Sequence, residues 1–243
     1  MGTDLNTNEA DLFDRLTSTQ PGPDWWLVLL VGALALGAVS HRGLWGVTRN
    51  IVTIAHEGGH ALAALLTGRK LDGIKLHSDT SGVTVSRGKP HGPGMVFTAL
   101  AGYVTPPLLG LLFAALLAAG RITLMLWFSL ALLGAMLIMI RNVYGVLSVV
   151  GTGAVIFVVS WVTGPQIQAA FAYLAAWFLL FAGTRPVIEL QRMRKRRMAP
   201  TSDADQLAHL TGVPGLTWVG LFLVVALGSL GLGVLLLAPE LPG

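Results

Sequence analysis

Long apolar stretches separated by short polar segments fill most of the chain, and this pattern predicts a bundle of membrane-spanning helices. About 20 apolar residues in a helix are enough to cross the hydrocarbon core of a bilayer. The predicted spans lie at residues 25–40, 43–67, 94–119, 122–140, 143–162, 166–184 and 214–237. The predicted fold class is therefore an all-α polytopic membrane protein with about seven transmembrane helices.

One polar segment has a different period. Apolar and polar residues alternate on both sides of Ser-Asp-Thr-Ser-Gly within residues 70–90. This alternation with a central turn predicts a small β-hairpin after the second span, on the cytoplasmic side. Such a hairpin could bind an extended peptide as an added strand. An ordinary juxtamembrane loop would fit the same pattern.

The polar start of the chain predicts a tail and one domain. Residues 1–24 are acidic and are predicted to form a cytoplasmic N-terminal tail, whereas residues 25–243 are predicted to form a single membrane-embedded domain. No positively charged segment precedes the first apolar run, so no cleavable signal is expected.

Composition agrees with a protein embedded in the lipid bilayer. Only 12% of the residues are charged and 53% are hydrophobic, whereas soluble domains carry about 25% charged residues. The chain has no cysteine, which excludes disulfides and thiolate metal sites. The net charge of +4 does not indicate a nucleic-acid partner, because the basic residues cluster beside the spans.

The basic residues also predict an orientation. Cytoplasmic loops are rich in Lys and Arg, and a seven-span topology with the N-terminus inside and the C-terminus outside places 13 of the 16 there. A basic cytoplasmic loop at about 185–202 carries many of them. The 13 are Arg15, Arg69, Lys70, Lys75, Arg87, Lys89, Arg141, Arg185, Arg192, Arg194, Lys195, Arg196 and Arg197.

The second span contains the motif His-Glu-Gly-Gly-His at residues 56–60. His56 and His60 are four residues apart, so on a helix they share one face and can bind one zinc ion. Glu57 lies beside the first ligand and can act as general base on a water at the zinc. Ionisable groups at membrane depth are costly, which favours a functional role over chance.

Two glycines separate the ligands of this motif. Each Gly costs a helix interior about 1 kcal/mol relative to Ala. We interpret Gly58 and Gly59 as positions where another backbone approaches the metal. The alternative is that glycine is simply frequent in spanning helices.

A catalytic zinc usually has a third protein ligand, and three candidates precede the last span. Gly212 and Pro214 would break this segment and let it dip into the protein, where it could present a ligand. Asp203 is favoured, Asp205 is the alternative and His209 is third. Capping of a helix N-terminus explains both aspartates equally well. The candidates set aside by position are His41, Asp72, His77, Asp79, His91, Glu189 and Glu240.

Two further polar residues lie at or near span ends. Arg49 precedes the motif by one to two turns and is predicted either to snorkel or to pair with an acid. Asn142 is predicted to make a hydrogen bond at a helix end, with contact to substrate or to a ligand as the alternative.

The segments AHEGGHALAALLTGRKL and AGYVTPPLLG, with the strand-like region between them, resemble the site-2 protease family of intramembrane zinc metalloproteases. The resemblance covers about residues 45–225. It implies that His56 and His60 bind zinc, that Glu57 is the base, and that a later aspartate is the third ligand. The usual later motif of the family is absent. Ser-Asp-Ala-Asp-Gln-Leu at 202–207 resembles its counterpart in a divergent compact bacterial branch.

The resemblance implies an enzyme of a bacterial plasma membrane. The first hypothesis is an intramembrane zinc metalloendopeptidase that hydrolyses a peptide bond of a membrane-spanning protein substrate near the cytoplasmic face, with Glu57 as general base. The alternative is a zinc-binding membrane protein without peptidase activity, either a regulatory relative or a transporter. After residue 120 the spans carry no His, Asp or Glu until Glu189, which argues against an ion path. No pattern in the chain indicates an oligomeric state.

Overall fold

The computed structural model describes residues 13–14, 16–199 and 201–238. Within them lie two strands and nine helices of nine or more residues. The predictions for residues 1–12, Arg15 and Glu240 fall outside the described residues. In chain order the elements are α1 Trp25–Ser40, α2 Arg42–Leu66, β1 Lys70–Leu76, β2 Gly82–Arg87, α3 Pro93–Ala118, α4 Ile122–Met139, α5 Val143–Val162, α6 Pro165–Ala182, α7 Thr184–Lys195, α8 Asp203–Thr211 and α9 Gly215–Leu237.

The predicted fold class is confirmed, and the predicted count of seven spans is approximate. Helices α3, α4, α5 and α9 are each long and apolar enough to cross a membrane, and α6 with α7 forms a fifth such unit over Pro165–Lys195. Helices α1 and α2 are bent by 98° at their junction. If this bent pair is one broken span, the described residues contain six.

The predicted hairpin is also confirmed. Strands β1 and β2 pair antiparallel, with a register shift between Leu71 and Gly73. The linker between α4 and α5 covers the outer edge of β1, where the Arg141 amide donates to the carbonyl of Ile74 at 2.9 Å. The Asn142 side chain donates to the Leu76 carbonyl at 2.6 Å and accepts from its amide at 3.2 Å. Asn142 therefore anchors the hairpin and makes no side-chain cap to its own helix.

A cluster of charged side chains holds the break between α1 and α2. Arg185 donates to the carbonyl of Val39 and lies over the Trp45 ring at 4.7 Å from its centroid. Glu189 accepts from Trp45 Nε1 at 3.0 Å and from Arg185 Nε at 3.1 Å. The second carboxylate oxygen of Glu189 lies 3.7 Å from Arg49. Of the two alternatives predicted for Arg49, the structure therefore shows pairing with an acid. A broken helix leaves carbonyls without partners, and the arginine supplies one.

These contacts contradict the predicted topology. The α1–α2 break contacts Arg185 and Glu189, although the seven-span arrangement places the two segments on opposite sides of the membrane. In the described part of the tail, the main-chain amide of Gln20 donates to the Gly120 carbonyl at 2.8 Å. Gly120 follows the C-terminal end of α3, whereas the hairpin precedes its N-terminal end. The described end of the tail and the hairpin therefore lie at opposite ends of a helix about 39 Å long.

The cause of this error is the bent pair. Counting α1 and α2 as two separate spans adds one membrane crossing before the hairpin. The residues that precede this extra crossing are then assigned to the wrong side of the membrane relative to the hairpin. The predicted basic loop at 185–202 is also mostly wrong, because residues 184–195 form α7. Arg and Lys are good helix formers, and Arg192, Arg194 and Lys195 in the last turn interact favourably with the negative end of the helix dipole.

Candidate metal centre

Helix α2 carries the His-Glu-Gly-Gly-His motif. The alanine- and leucine-rich turns after His60 favour helix, and the helix ends at Leu66, shortly before Gly68, which has a φ of 73°. Such a left-handed residue is the usual stop signal of a helix. The spacing of four places both imidazoles on the face that meets α3. His60 is 9% exposed and Glu57 is 4% exposed.

Asp203, at the start of α8, reaches the two imidazoles. His56 Nε2 and His60 Nε2 are 3.1 Å apart, and Asp203 Oδ2 lies 3.3 Å from each of them. Zinc binds such atoms at about 2.0–2.1 Å in a tetrahedron, whose corners are then about 3.3–3.4 Å apart. The three ligand atoms therefore occupy three corners of a tetrahedron that fits zinc.

The chemistry of this donor set also favours a cation. His60 Nδ1 lies 2.7 Å from the carbonyl oxygen of Thr98, which can only accept a hydrogen bond. The proton is therefore on Nδ1, and the lone pair of Nε2 faces the centre of the triangle. A partner on the second ring nitrogen is the usual way in which proteins orient a metal-binding histidine. Lone-pair atoms at 3.1–3.3 Å repel one another unless a cation or a proton lies among them.

Helix α3 leaves room for the two rings at Gly102. A Cβ atom added there would lie 2.6 Å from Cε1 and Nε2 of His56, and closer still to Nε2 of His60. The next residue, Tyr103, packs edge-on against His56 with ring centroids 4.8 Å apart and stacks on Phe222 of α9 at 4.9 Å. Glycine at 102 and the aromatic pair therefore form the wall of the site.

Helix α8 is held so that Asp203 faces the histidines. Ser202 caps the helix by accepting from the Asp205 amide at 3.3 Å and donates to Asp205 Oδ2 at 2.6 Å. Arg194 of α7 makes a two-pronged contact with the Asp205 carboxylate at 2.7–3.1 Å. These hydrogen bonds, first of all from Arg194, lower the pKa of Asp205 below its usual value. Asp205 therefore anchors α8, and Asp203 remains for the metal.

Glu57 points to the hairpin side of α2. Its Oε2 accepts a hydrogen bond of 2.6 Å from the hydroxyl of Thr84 on β2. A Cβ atom added at Gly82 would lie 2.6–2.8 Å from Cγ, Oε1 and Cδ of Glu57. The hairpin therefore packs directly on the predicted base.

The structure brings some of the predicted site residues together and leaves others apart. It brings together His56, His60 and Asp203, the one group of three possible metal ligands found among the described residues. Asp205 lies outside this group, and His209 is exposed in the last turn of α8. As predicted, α8 ends at Gly212, which has a φ of 73°.

The expectation for the two glycines holds at one of them. A Cβ at Gly59 would meet the Ala101 carbonyl oxygen of α3 at 2.9 Å, so a second backbone does approach there. A Cβ at Gly58 would meet nothing within 4 Å. Four residues of the site were not predicted from the sequence: Gly82, Thr84, Thr98 and Gly102. The strand alternation put Gly82 and Thr84 on one face, but nothing in the sequence indicated what that face contacts.

Gly102→Ala tests the close packing of α3 against the two histidine rings. The new methyl group would overlap both imidazoles. Helix α3 cannot move away from α2, because it is also packed against α6 and α9. We expect zinc affinity to fall by about a hundredfold or more, at the upper limit of what changes around a metal site usually cost. Metal analysis after dialysis against a graded chelator measures this loss. Gly58→Ala adds the same methyl group in open space and should bind zinc like the wild type; equal affinity of both variants would contradict the geometry.

The chain matches a known protein family over most of its length. The Peptidase M50B-like family matches residues 29–233, which is most of the chain and includes the motif, the hairpin and α8. No curated protein and no solved structure matches the chain.

Proposed function

Because the chain belongs to the M50B-like peptidases, the site-2 protease family, we propose that it is an intramembrane zinc metalloendopeptidase. In this proposal His56, His60 and Asp203 hold the zinc ion, and Glu57 is the general base. The observation that carries it is the triangle of ligand atoms at 3.1–3.3 Å beside a buried glutamate. The substrate is a membrane-spanning protein segment.

Each residue has a defined part in hydrolysis. His56, His60 and Asp203 would hold the zinc ion, which would supply Lewis acidity that lowers the pKa of water toward about 7. Glu57 accepts the proton of the attacking water and delivers it to the nitrogen of the leaving amine. The main-chain carbonyl of Thr98 keeps the His60 ring oriented by accepting a hydrogen bond from Nδ1–H. Glu57 is buried, so bulk water does not compete for its hydrogen bonds.

The hairpin offers a place for the substrate. The outer edge of β1 is covered by the α4–α5 linker, whereas no strand in the described part of the chain pairs with the outer edge of β2. An extended peptide added to the free edge of β2 would form main-chain hydrogen bonds there. Thr84 of the same strand contacts Glu57, so the added peptide would run beside the base.

The fold and the positive-inside rule support the proposed orientation. The hairpin and the end of α7 lie at the same end of the bundle, and they carry ten of the 16 Lys and Arg. We therefore propose that this end is cytoplasmic and that cleavage occurs near the cytoplasmic face. The ten are Arg69, Lys70, Lys75, Arg87, Lys89, Arg192, Arg194, Lys195, Arg196 and Arg197.

Cysteine labelling tests this orientation cleanly because the chain contains no cysteine. The Thr19→Cys variant should react with a membrane-impermeant maleimide in intact cells, since Thr19 is exposed beside the α3–α4 turn. The Lys89→Cys variant, exposed after the hairpin, should react only after lysis. The reverse pattern would overturn the orientation, and labelling of both from one side would contradict the fold.

The activity itself is tested by labelling new N-termini in the membranes of cells that naturally make the protein. Cells with the wild type are compared with cells that carry Glu57→Gln at equal abundance. The proposal predicts N-termini inside membrane-spanning segments, near their cytoplasmic ends, that appear only with the wild type. Identical sets of N-termini in both samples would refute it.

A further inference from the structure

The hairpin packs against α2, the helix that carries the His-Glu-Gly-Gly-His motif. Its two contacts match one turn of the helix and the alternation of residues along the hairpin. Thr53 and Glu57 lie one turn apart on α2, while Thr80, Gly82 and Thr84 alternate along the hairpin and face that helix. The Thr53 hydroxyl donates to the Thr80 carbonyl at 2.7 Å, and the Thr84 hydroxyl lies 2.6 Å from Glu57 Oε2. These two contacts are one helical turn apart on α2, so the hairpin is docked in a single register.

The second of these contacts fixes the glutamate itself. The Thr84 hydroxyl is also 3.1 Å from the Glu57 main-chain carbonyl oxygen. It therefore stays close to Glu57 whether it donates to the carboxylate or to this carbonyl. Among the described residues, Thr84 makes the one side-chain hydrogen bond to the Glu57 carboxylate. The main chain at Gly82 closes the other side, where even a methyl group would overlap the carboxylate. The orientation of this buried side chain is therefore set by β2.

The strand that carries Thr84 is itself held from several sides. Asn142 binds both main-chain polar groups of Leu76 on the neighbouring strand. Arg69 donates to the main-chain carbonyl of Lys89 and closes the far end of the hairpin. The Thr84 hydroxyl is thus presented by a rigid element, which is what accurate orientation of a catalytic group requires.

We propose that Thr84 is a positioning residue for Glu57, and that its hydroxyl holds the carboxylate in the orientation needed for proton transfer. The inference rests on the proposed function, since Glu57 needs this orientation only if the chain hydrolyses peptide bonds. Thr84 acts through Glu57 and does not touch the three metal ligands. It therefore affects the chemical step and leaves metal content unchanged.

Three variants of the full chain in detergent test this role. Thr84→Val keeps the shape and removes the donor, and Thr84→Ser keeps the donor. Ser86→Ala is the matched control, because Ser86 is the next residue on the same face of β2 and bonds Arg69 instead of Glu57. The readouts are zinc per chain, affinity of the zinc-loaded protein for acetohydroxamate, and kcat and KM on a membrane-spanning segment identified by N-terminal labelling. A hydroxamate binds zinc and gives its hydroxyl proton to a neighbouring carboxylate, so its affinity reports how Glu57 is held.

We expect Thr84→Val to keep its zinc, to lower kcat about ten- to hundredfold with KM unchanged, and to weaken acetohydroxamate binding about tenfold. This is the usual size of a lost hydrogen bond to a charged group. Thr84→Ser and Ser86→Ala should stay within about threefold of the wild type. Loss of zinc in Thr84→Val, a change in KM alone, or wild-type values of both kcat and affinity would overturn the inference.

The two proposals fail differently. A wild type that binds zinc and acetohydroxamate but cleaves no membrane-spanning segment contradicts the proposed function, while the affinity ratio of Thr84→Val to wild type still decides how Glu57 is positioned. A wild type that binds neither zinc nor acetohydroxamate overturns both.

Discussion

Glu57→Gln is expected to abolish peptide-bond hydrolysis while the metal site stays loaded. Glutamine has the same shape and can still accept the hydrogen bond of Thr84, so the buried packing around position 57 persists. The amide cannot take the proton of the attacking water. General acid–base catalysis is worth about 10²–10⁴-fold, and we expect kcat to fall by at least that factor. Zinc content should equal that of the wild type, because Glu57 is not part of the ligand triangle.

Glu189→Gln is the matched control for this change. It makes the same chemical replacement at a glutamate that binds Trp45 and Arg185 and has no contact with the ligands. It should lower thermal stability and keep the wild-type rate per zinc-loaded chain. Full activity of Glu57→Gln at equal zinc content would eliminate Glu57 as the base.

Asp203→Ala is expected to remove zinc from the protein. The substitution deletes one of three ligands and leaves two imidazoles that bind the metal weakly. Because changes around a metal site already cost about 10–100-fold in affinity, loss of a ligand should exceed a hundredfold. Metal analysis after chelator dialysis should give about one zinc per chain in the wild type and nearly none in this variant, with cleavage lost in parallel.

Asp205→Ala separates ligand loss from loss of the helix anchor. Asp205 binds Arg194 and Ser202 and lies outside the ligand triangle. Removing it leaves Arg194 without its acid, which should lower the free energy of unfolding by about 1–3 kcal/mol. Zinc should remain at about one per chain. Retention of zinc by Asp203→Ala together with its loss from Asp205→Ala would reverse the assignment.

The local part of the site could be predicted from the sequence. The spacing of His56 and His60 fixes their common face through helix geometry alone, and the alternation in residues 70–90 predicts the hairpin through strand geometry. Both inferences use contacts between residues close in the chain. The structure agrees with each of them.

The third ligand could not be chosen in the same way. Asp203 and Asp205 both lie in the first turn of α8, where either aspartate is favourable. The structure separates them through distant residues: Arg194 of α7 binds Asp205, while α2 brings its histidines to Asp203. The sequence contains no signal for such pairings between elements.

The bend between α1 and α2 was missed for a related reason. Hydropathy identifies each apolar segment but is the same for a straight helix and a broken one. The break is tolerated because Arg185, from 146 residues further along the chain, binds the Val39 carbonyl. The contact of Thr84 with Glu57, 27 residues away, is equally invisible in the sequence.

X-ray absorption at the zinc edge of the full-length protein tests the central claim most directly. We expect one zinc per chain with four nitrogen or oxygen ligands at about 2.0–2.1 Å and the outer-shell scattering of two imidazoles. Glu57→Gln should give the same spectrum. Absence of zinc after gentle purification, or a zinc environment without two imidazoles, would contradict a peptidase site built from His56, His60 and Asp203.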